Sequence, residues 1–179
     1  MKPHIITLAF ITSLTAFAPL RAEPTAPPVA TEMKELDRVV GTWTQTELVL
    51  KQAEWTPKEI RVSGDVAAAK PIMGGRYIED LKIRAADGSE HIGLRSFDEA
   101  AKVYHYSFFG SAGNRLEFTF RWDAAAQSFI GTAPMPNGVT MHGTIRFPDK
   151  DTKEWHAVAT DPSGKVYLDL SSKEVRAQK

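Results

Sequence analysis

From Trp43 to the C-terminus, polar and apolar positions alternate in short runs, and each run stops at a turn signal. The strictest is Arg115-Leu116-Glu117-Phe118-Thr119-Phe120-Arg121-Trp122, the period-2 signature of a strand with one wet and one dry face. The pattern predicts ten strands: Thr42–Lys51, Glu59–Ala69, Arg76–Arg84, Glu90–Phe97, Lys102–Phe109, Arg115–Trp122, Gln127–Ala133, Val139–Phe147, Glu154–Thr160 and Lys165–Glu174. Asp87-Gly88, Ser111-Ala112-Gly113-Asn114, Pro136-Asn137-Gly138 and Asp161-Pro162-Ser163-Gly164 supply turn chemistry between them. Connections this short make neighbours antiparallel, since parallel strands need crossovers of a dozen residues or more. Ten such strands in series favour an all-β, single, antiparallel up-and-down barrel, because closure removes unpaired edges. A sandwich would need long connections between its sheets, and the chain offers none.

Ahead of the strands the period changes. Met33, Leu36, Val39 and Val40 recur at helical spacing behind Thr31, a candidate N-cap. A short helix from Glu32 to about Val40 is expected, ended by Gly41 and plugging one barrel mouth. Residues 23–31 carry Pro24, Pro27 and Pro28 and read as a flexible linker. Residues 1–22 read as a signal peptide: Lys2 is the basic start, Ile5 to Phe17 are uncharged, and Leu20-Arg21-Ala22 suits the peptidase. That apolar run is shorter than the roughly 20 residues a membrane span needs. A mature domain over 32–175 and a periplasmic or secreted location are therefore expected.

Composition narrows the classes. Of 22 basic and 22 acidic side chains, Lys2 and Arg21 would leave with the signal, so the mature chain is nearly neutral. Without a basic stripe, no nucleic acid and no anionic membrane surface is expected as a partner. There is no cysteine, so a disulfide framework and thiolate metal sites are excluded.

Gly41-Thr42-Trp43 after a short helix resembles the opening of lipocalin-type (calycin) barrels, which carry a Gly-x-Trp at the first strand. Met73-Gly74-Gly75-Arg76-Tyr77 and Gly93-Leu94-Arg95-Ser96-Phe97-Asp98 are similar to motifs of an uncharacterised bacterial domain-of-unknown-function family, 1579. The resemblance spans most of the mature chain. It implies a lipocalin-like barrel and implies no particular chemistry.

Closing each hairpin tightly predicts which residues share a face. Pairing Phe109 with Arg115 sets Tyr106 opposite Phe118 and Tyr104 opposite Phe120, uniting two apolar sides. Pairing Phe97 with Lys102 puts Arg95 opposite Tyr104, and pairing Arg84 with Glu90 puts Glu79 opposite Arg95 and Tyr77 opposite Phe97. The predicted lumen then presents Tyr77, Glu79, His91, Arg95, Tyr104, Tyr106, Phe118 and Phe120 as the ligand-binding set. A buried guanidinium needs a partner, so Arg95 is expected to be held by Glu79 or by a ligand anion.

Other chemistry is thinly supported. His142 and His156 should be diagonal neighbours near Asp169, but on the face opposite Met141, Ile145, Trp155 and Leu170, hence solvated; no metal is expected. His91 is the one candidate for haem, and no cofactor is expected. No Gly-x-Ser-x-Gly or other nucleophile motif occurs, and Gly74-Gly75-Arg76 leads into a strand, so it reads as a backbone kink and not a phosphate loop. Trp55 and Pro57 could stand at a portal. The expected function is binding of a small hydrophobic or amphipathic molecule in the barrel. The alternatives are an isomerase or hydrolase using Glu79, His91 and Arg95, and a barrel simply filled by its own aromatics.

Overall fold

A computed structural model describes residues 28–53, 58–85 and 88–177, with the side chains of 83 and 84 excepted. The expected signal peptide over residues 1–22, residues 23–27 of the expected linker, and Trp55 and Pro57 lie outside the described residues. Eleven strands follow one helix: β1 (Gly41–Ala53), β2 (Ile60–Val62), β3 (Val66–Ile72), β4 (Tyr77–Arg84), β5 (His91–Asp98), β6 (Val103–Gly110), β7 (Arg115–Asp123), β8 (Ser128–Pro134), β9 (Thr140–Asp149), β10 (Thr152–Thr160) and β11 (Val166–Arg176). Each pairs antiparallel with its neighbour from β3 to β11, and β1 pairs with both β3 and β11. The sheet thus closes as a ten-strand barrel. β2 is the extra piece: the single strand expected over Glu59–Ala69 breaks at Ser63-Gly64-Asp65, where Gly64 takes a φ of 95°, and β2 lies only against Leu48–Leu50 of β1.

The helix is a 3-10 helix over Thr31–Arg38, and no side chain caps it. Its period explains the apolar stripe. At three residues per turn, Met33, Leu36 and Val39 eclipse on one face, and these three are buried while Val40 is only half-buried. The helix plugs one end of the barrel: the Tyr104 hydroxyl donates to the Glu32 carbonyl at 3.0 Å, and the Arg38 guanidinium lies 4.6 Å from the Trp122 ring.

Trp43 secures that end. It is 1% exposed, and its indole N–H donates to the Val39 carbonyl at 2.8 Å. Arg176, which the sequence reading passed over, lies 4.3 Å above the same ring and donates to the carbonyls of Val40 and Arg38, satisfying acceptors that the end of the helix leaves open. Gly41 adopts a φ of 123°, and a Cβ there would collide with the Arg176 guanidinium. The backbone conformation is what makes glycine the residue for this junction. Above this floor, Tyr104, Phe120, Phe129 and Phe147 are buried against one another and the helix.

Two turns decide the register on the way to the site. Asp98 Oδ1 accepts from the N–H groups of Ala100 and Ala101, and Lys102 goes left-handed with a φ of 55°. Asp98 is thus the last paired residue, opposite Val103, which moves the expected β5–β6 register by two and puts Arg95 opposite Tyr106. A two-residue shift keeps every side chain on its face. Between β3 and β4, Met73, Gly74 and Gly75 all take positive φ, so the Gly-Gly pair makes a tight reversal here.

Candidate functional site

At the end away from the helix the lumen is hollow. The cavity measures about 370 Å³, within the range of small-molecule sites. Its apolar wall comes from Phe108, Leu116, Phe118, Trp155, Leu168 and Leu170, and its polar lining includes Gln45, Asp80, His91, Arg95, Lys153 and Glu174. Inward-facing glycines shape it. A Cβ on Gly93 would strike the Tyr106 ring, and one on Gly143 would strike Trp155, so the missing side chains are what let these aromatics lie flat along the sheet.

Of the expected binding set, Arg95, His91, Tyr106 and Phe118 line this cavity. The β6–β7 register is as expected, with Tyr106 opposite Phe118 and Tyr104 opposite Phe120. Tyr104 and Phe120 nevertheless stand below the cavity, in the packed end. Tyr77 and Glu79 point outward. β4 is one residue out of the expected register, with Ile78 opposite Arg95 and Asp80 opposite Gly93, and a one-residue slip exchanges the two faces of a strand. Ile78 is therefore 2% exposed, while Tyr77 is 38% exposed and Glu79 pairs on the outside with Lys70 at 3.1 Å. The slip buries Ile78 and gives Arg95 a carboxylate.

That carboxylate is Asp80. Arg95 Nη2 donates to Asp80 Oδ2 at 2.8 Å, and the guanidinium lies 3.8 Å from the Tyr106 ring centroid. The Tyr106 hydroxyl reaches Asp80 Oδ2 at 3.5 Å, and His91 Nε2 stands 3.9 Å from Asp80 Oδ1, an ion-pair separation and not a hydrogen bond. Burial alone would raise the Asp80 carboxyl, but His91, Arg95 and Lys153 hold it well below the usual carboxylate range. Burial, then the Asp80 charge, pushes the Tyr106 phenol well above its ordinary value, so it is a neutral donor here.

Lys153 and Glu174, absent from the sequence reading, meet at 2.7 Å on β10 and β11. Toward the open end, Lys82 Nζ donates to Asp65 at 2.8 Å. The hairpin register would have found Lys153, since it alternates with Trp155 and Ala157 on the inward face. Its position at the strand's start makes it read as solvated. Outside the barrel, His156 Nε2 lies 3.1 Å from Asp169 and His142 is its diagonal neighbour, all on the outer face as the pattern indicates. Among the described residues, no three histidine, aspartate or glutamate side chains cluster so as to hold a metal ion.

No family model and no curated protein matches the chain. Among solved structures it is similar to an S-type phycobiliprotein lyase, CPES, from Guillardia theta, at 13% identity and a TM-score of 0.50, over 82% of this chain and 92% of that one. A protein of unknown function from the DUF3598 family of Nostoc punctiforme also matches, at 6% identity and a TM-score of 0.25, over 83% of this chain and all of that one. The first likeness shows a shared barrel fold; the second is too loose to carry any argument.

Proposed function

We propose that the protein binds one small apolar or amphipathic molecule in the barrel cavity, its body against Phe108, Leu116, Phe118 and Trp155 and its polar end at Arg95 and its neighbours. The observation that carries this reading is the 370 Å³ cavity with an apolar wall and a buried polar cluster, the usual make-up of a ligand site. The same cavity speaks against a barrel filled by its own aromatics. Export after cleavage near Ala22, into the periplasm or medium, belongs to this reading and is checked by N-terminal sequencing of the mature protein. Membership of family 1579 rests on the short glycine motifs alone. No described helix is long and apolar enough to cross a membrane.

Titration with the neutral fluorophore N-phenyl-1-naphthylamine tests the reading. A single saturable site, lost in Ala157→Trp, which fills the cavity, is the expected result. Non-saturable uptake, or binding untouched by Ala157→Trp in a variant that still melts cooperatively, defeats it. An enzyme is the second reading, favoured by the His91–Asp80 pair inside the cavity; Glu79, outside, has no part in it. Ester hydrolysis abolished by His91→Gln would support that alternative.

A further inference from the structure

The lysine, arginine and carboxylate charges in the cavity wall are matched one to one inside the wall, and His91 stands beside one of the carboxylates. Asp80 holds Arg95, Glu174 holds Lys153, and Asp65 holds Lys82. A ligand bringing a carboxylate or an ammonium against the buried Asp80–Arg95 pair would add an unbalanced charge where little water reaches, which is costly. The fatty-acid-like head suggested by a lone lumen arginine therefore does not fit.

Two polar atoms remain. Among the described residues, Arg95 Nε and Gln45 Oε1 are the buried side-chain nitrogen and oxygen without a hydrogen-bond partner. Both residues line the cavity. Arg95 is 7% exposed, with one guanidinium nitrogen spent on Asp80 and its face on Tyr106. Gln45 sits on β1 opposite Glu174 of β11, which in turn faces Lys153 of β10. Gln45, Glu174 and Lys153 on one side and Asp80 and Arg95 on the other line the same cavity. One orphan is a donor and the other an acceptor, and buried groups of either kind are ordinarily satisfied.

We infer that the ligand's polar end is uncharged and offers an acceptor, for Arg95 Nε, and on a separate atom a donor, for Gln45 Oε1, which is the chemistry of an amide or lactam and not of a single hydroxyl. This rests on the binding reading above and adds the head-group class to it.

Displacement of N-phenyl-1-naphthylamine by a set of equal chain length decides the matter: decanamide, methyl decanoate, decanoate and decylamine. Decanamide should bind about tenfold tighter than the ester, which only accepts, and more tightly still than either ion. Gln45→Leu should bring decanamide and ester together, abolishing the tenfold gap between them. Decanoate equal to or better than decanamide overturns the inference, and so does an amide preference that survives Gln45→Leu. If all four bind alike, the head-group inference fails and the binding reading stands. If none displaces the probe and the probe itself does not saturate, both fall.

Discussion

At the helix end of the barrel, Tyr104, Phe120, Phe129 and Phe147 close on one another and on Met33 and Leu36, and the lumen is solid. At the other end the same strands turn Asp80, Arg95, Lys153 and Glu174 inward and leave a cavity. The strands and the closure are common to both ends; only the inward-facing residues differ. Stability alone would favour filling both ends with apolar side chains, since a buried ion pair is often matched or exceeded by hydrophobic replacements of similar volume. Polar residues in the hollow end therefore speak for selectivity toward an occupant, and apolar residues in the solid end for holding the cylinder shut.

The contrast is broken most directly by truncation. Phe129→Ala, in the solid end, should cost about 3–5 kcal/mol in urea unfolding. Leu116→Ala, on the cavity wall, should cost less than half as much, because its neighbours on one side are already absent. Asp80→Leu should destabilise by roughly 3–5 kcal/mol, since it strands a buried guanidinium, whereas the double variant Asp80→Leu with Arg95→Met should return close to wild type. If the double variant is as unstable as the single one, the pair is structural and the proposed division of labour is wrong.

A pH series sharpens the same point. Asp80 titrates below its ordinary value of 3.8 in the folded protein, so the unfolded chain binds its proton first. The stability it contributes is complete above about pH 5 and drains away as pH falls through the depressed folded value. Acid denaturation monitored by tryptophan fluorescence should therefore be shallower in the double variant. The smallest effect is expected at Glu79→Gln, within about 0.5 kcal/mol, because its partner Lys70 is exposed. A large loss there would revive the register in which Glu79 faces inward.

Much of this was legible beforehand. Period-2 alternation located all ten staves, and the tight Gly110–Asn114 turn put the β6–β7 register right. The Asp98 turn was harder to read: its side-chain bonds move the four-residue loop one position along the chain, so that Asp98 joins the pairing and Lys102 leaves it, a local chemistry that tight closure ignores. β4 failed for a different reason. Its odd positions, Tyr77 and Leu81 among them, look the more apolar, yet the face with Ile78, Asp80 and Lys82 points inward. A strand that turns its more polar face to the lumen contradicts the binary pattern, and such contradictions are expected at functional sites. Arg176 escaped notice because nothing local marks it. Its partners are the carbonyls of Arg38 and Val40, far upstream, and Lys150 and Asp151 at the β9–β10 turn.

The seam between β1 and β11 also governs when the molecule can exist. Arg176 bonds to a carbonyl 138 positions earlier, so the ring is sealed only when the last of its strands, β11, meets the first. Every shorter nascent chain carries two raw β edges and an unroofed apolar face. Closure of the barrel is thereby deferred until β11 has been made, and the edge of β1 and the growing edge of β3–β10 stay unsealed until then.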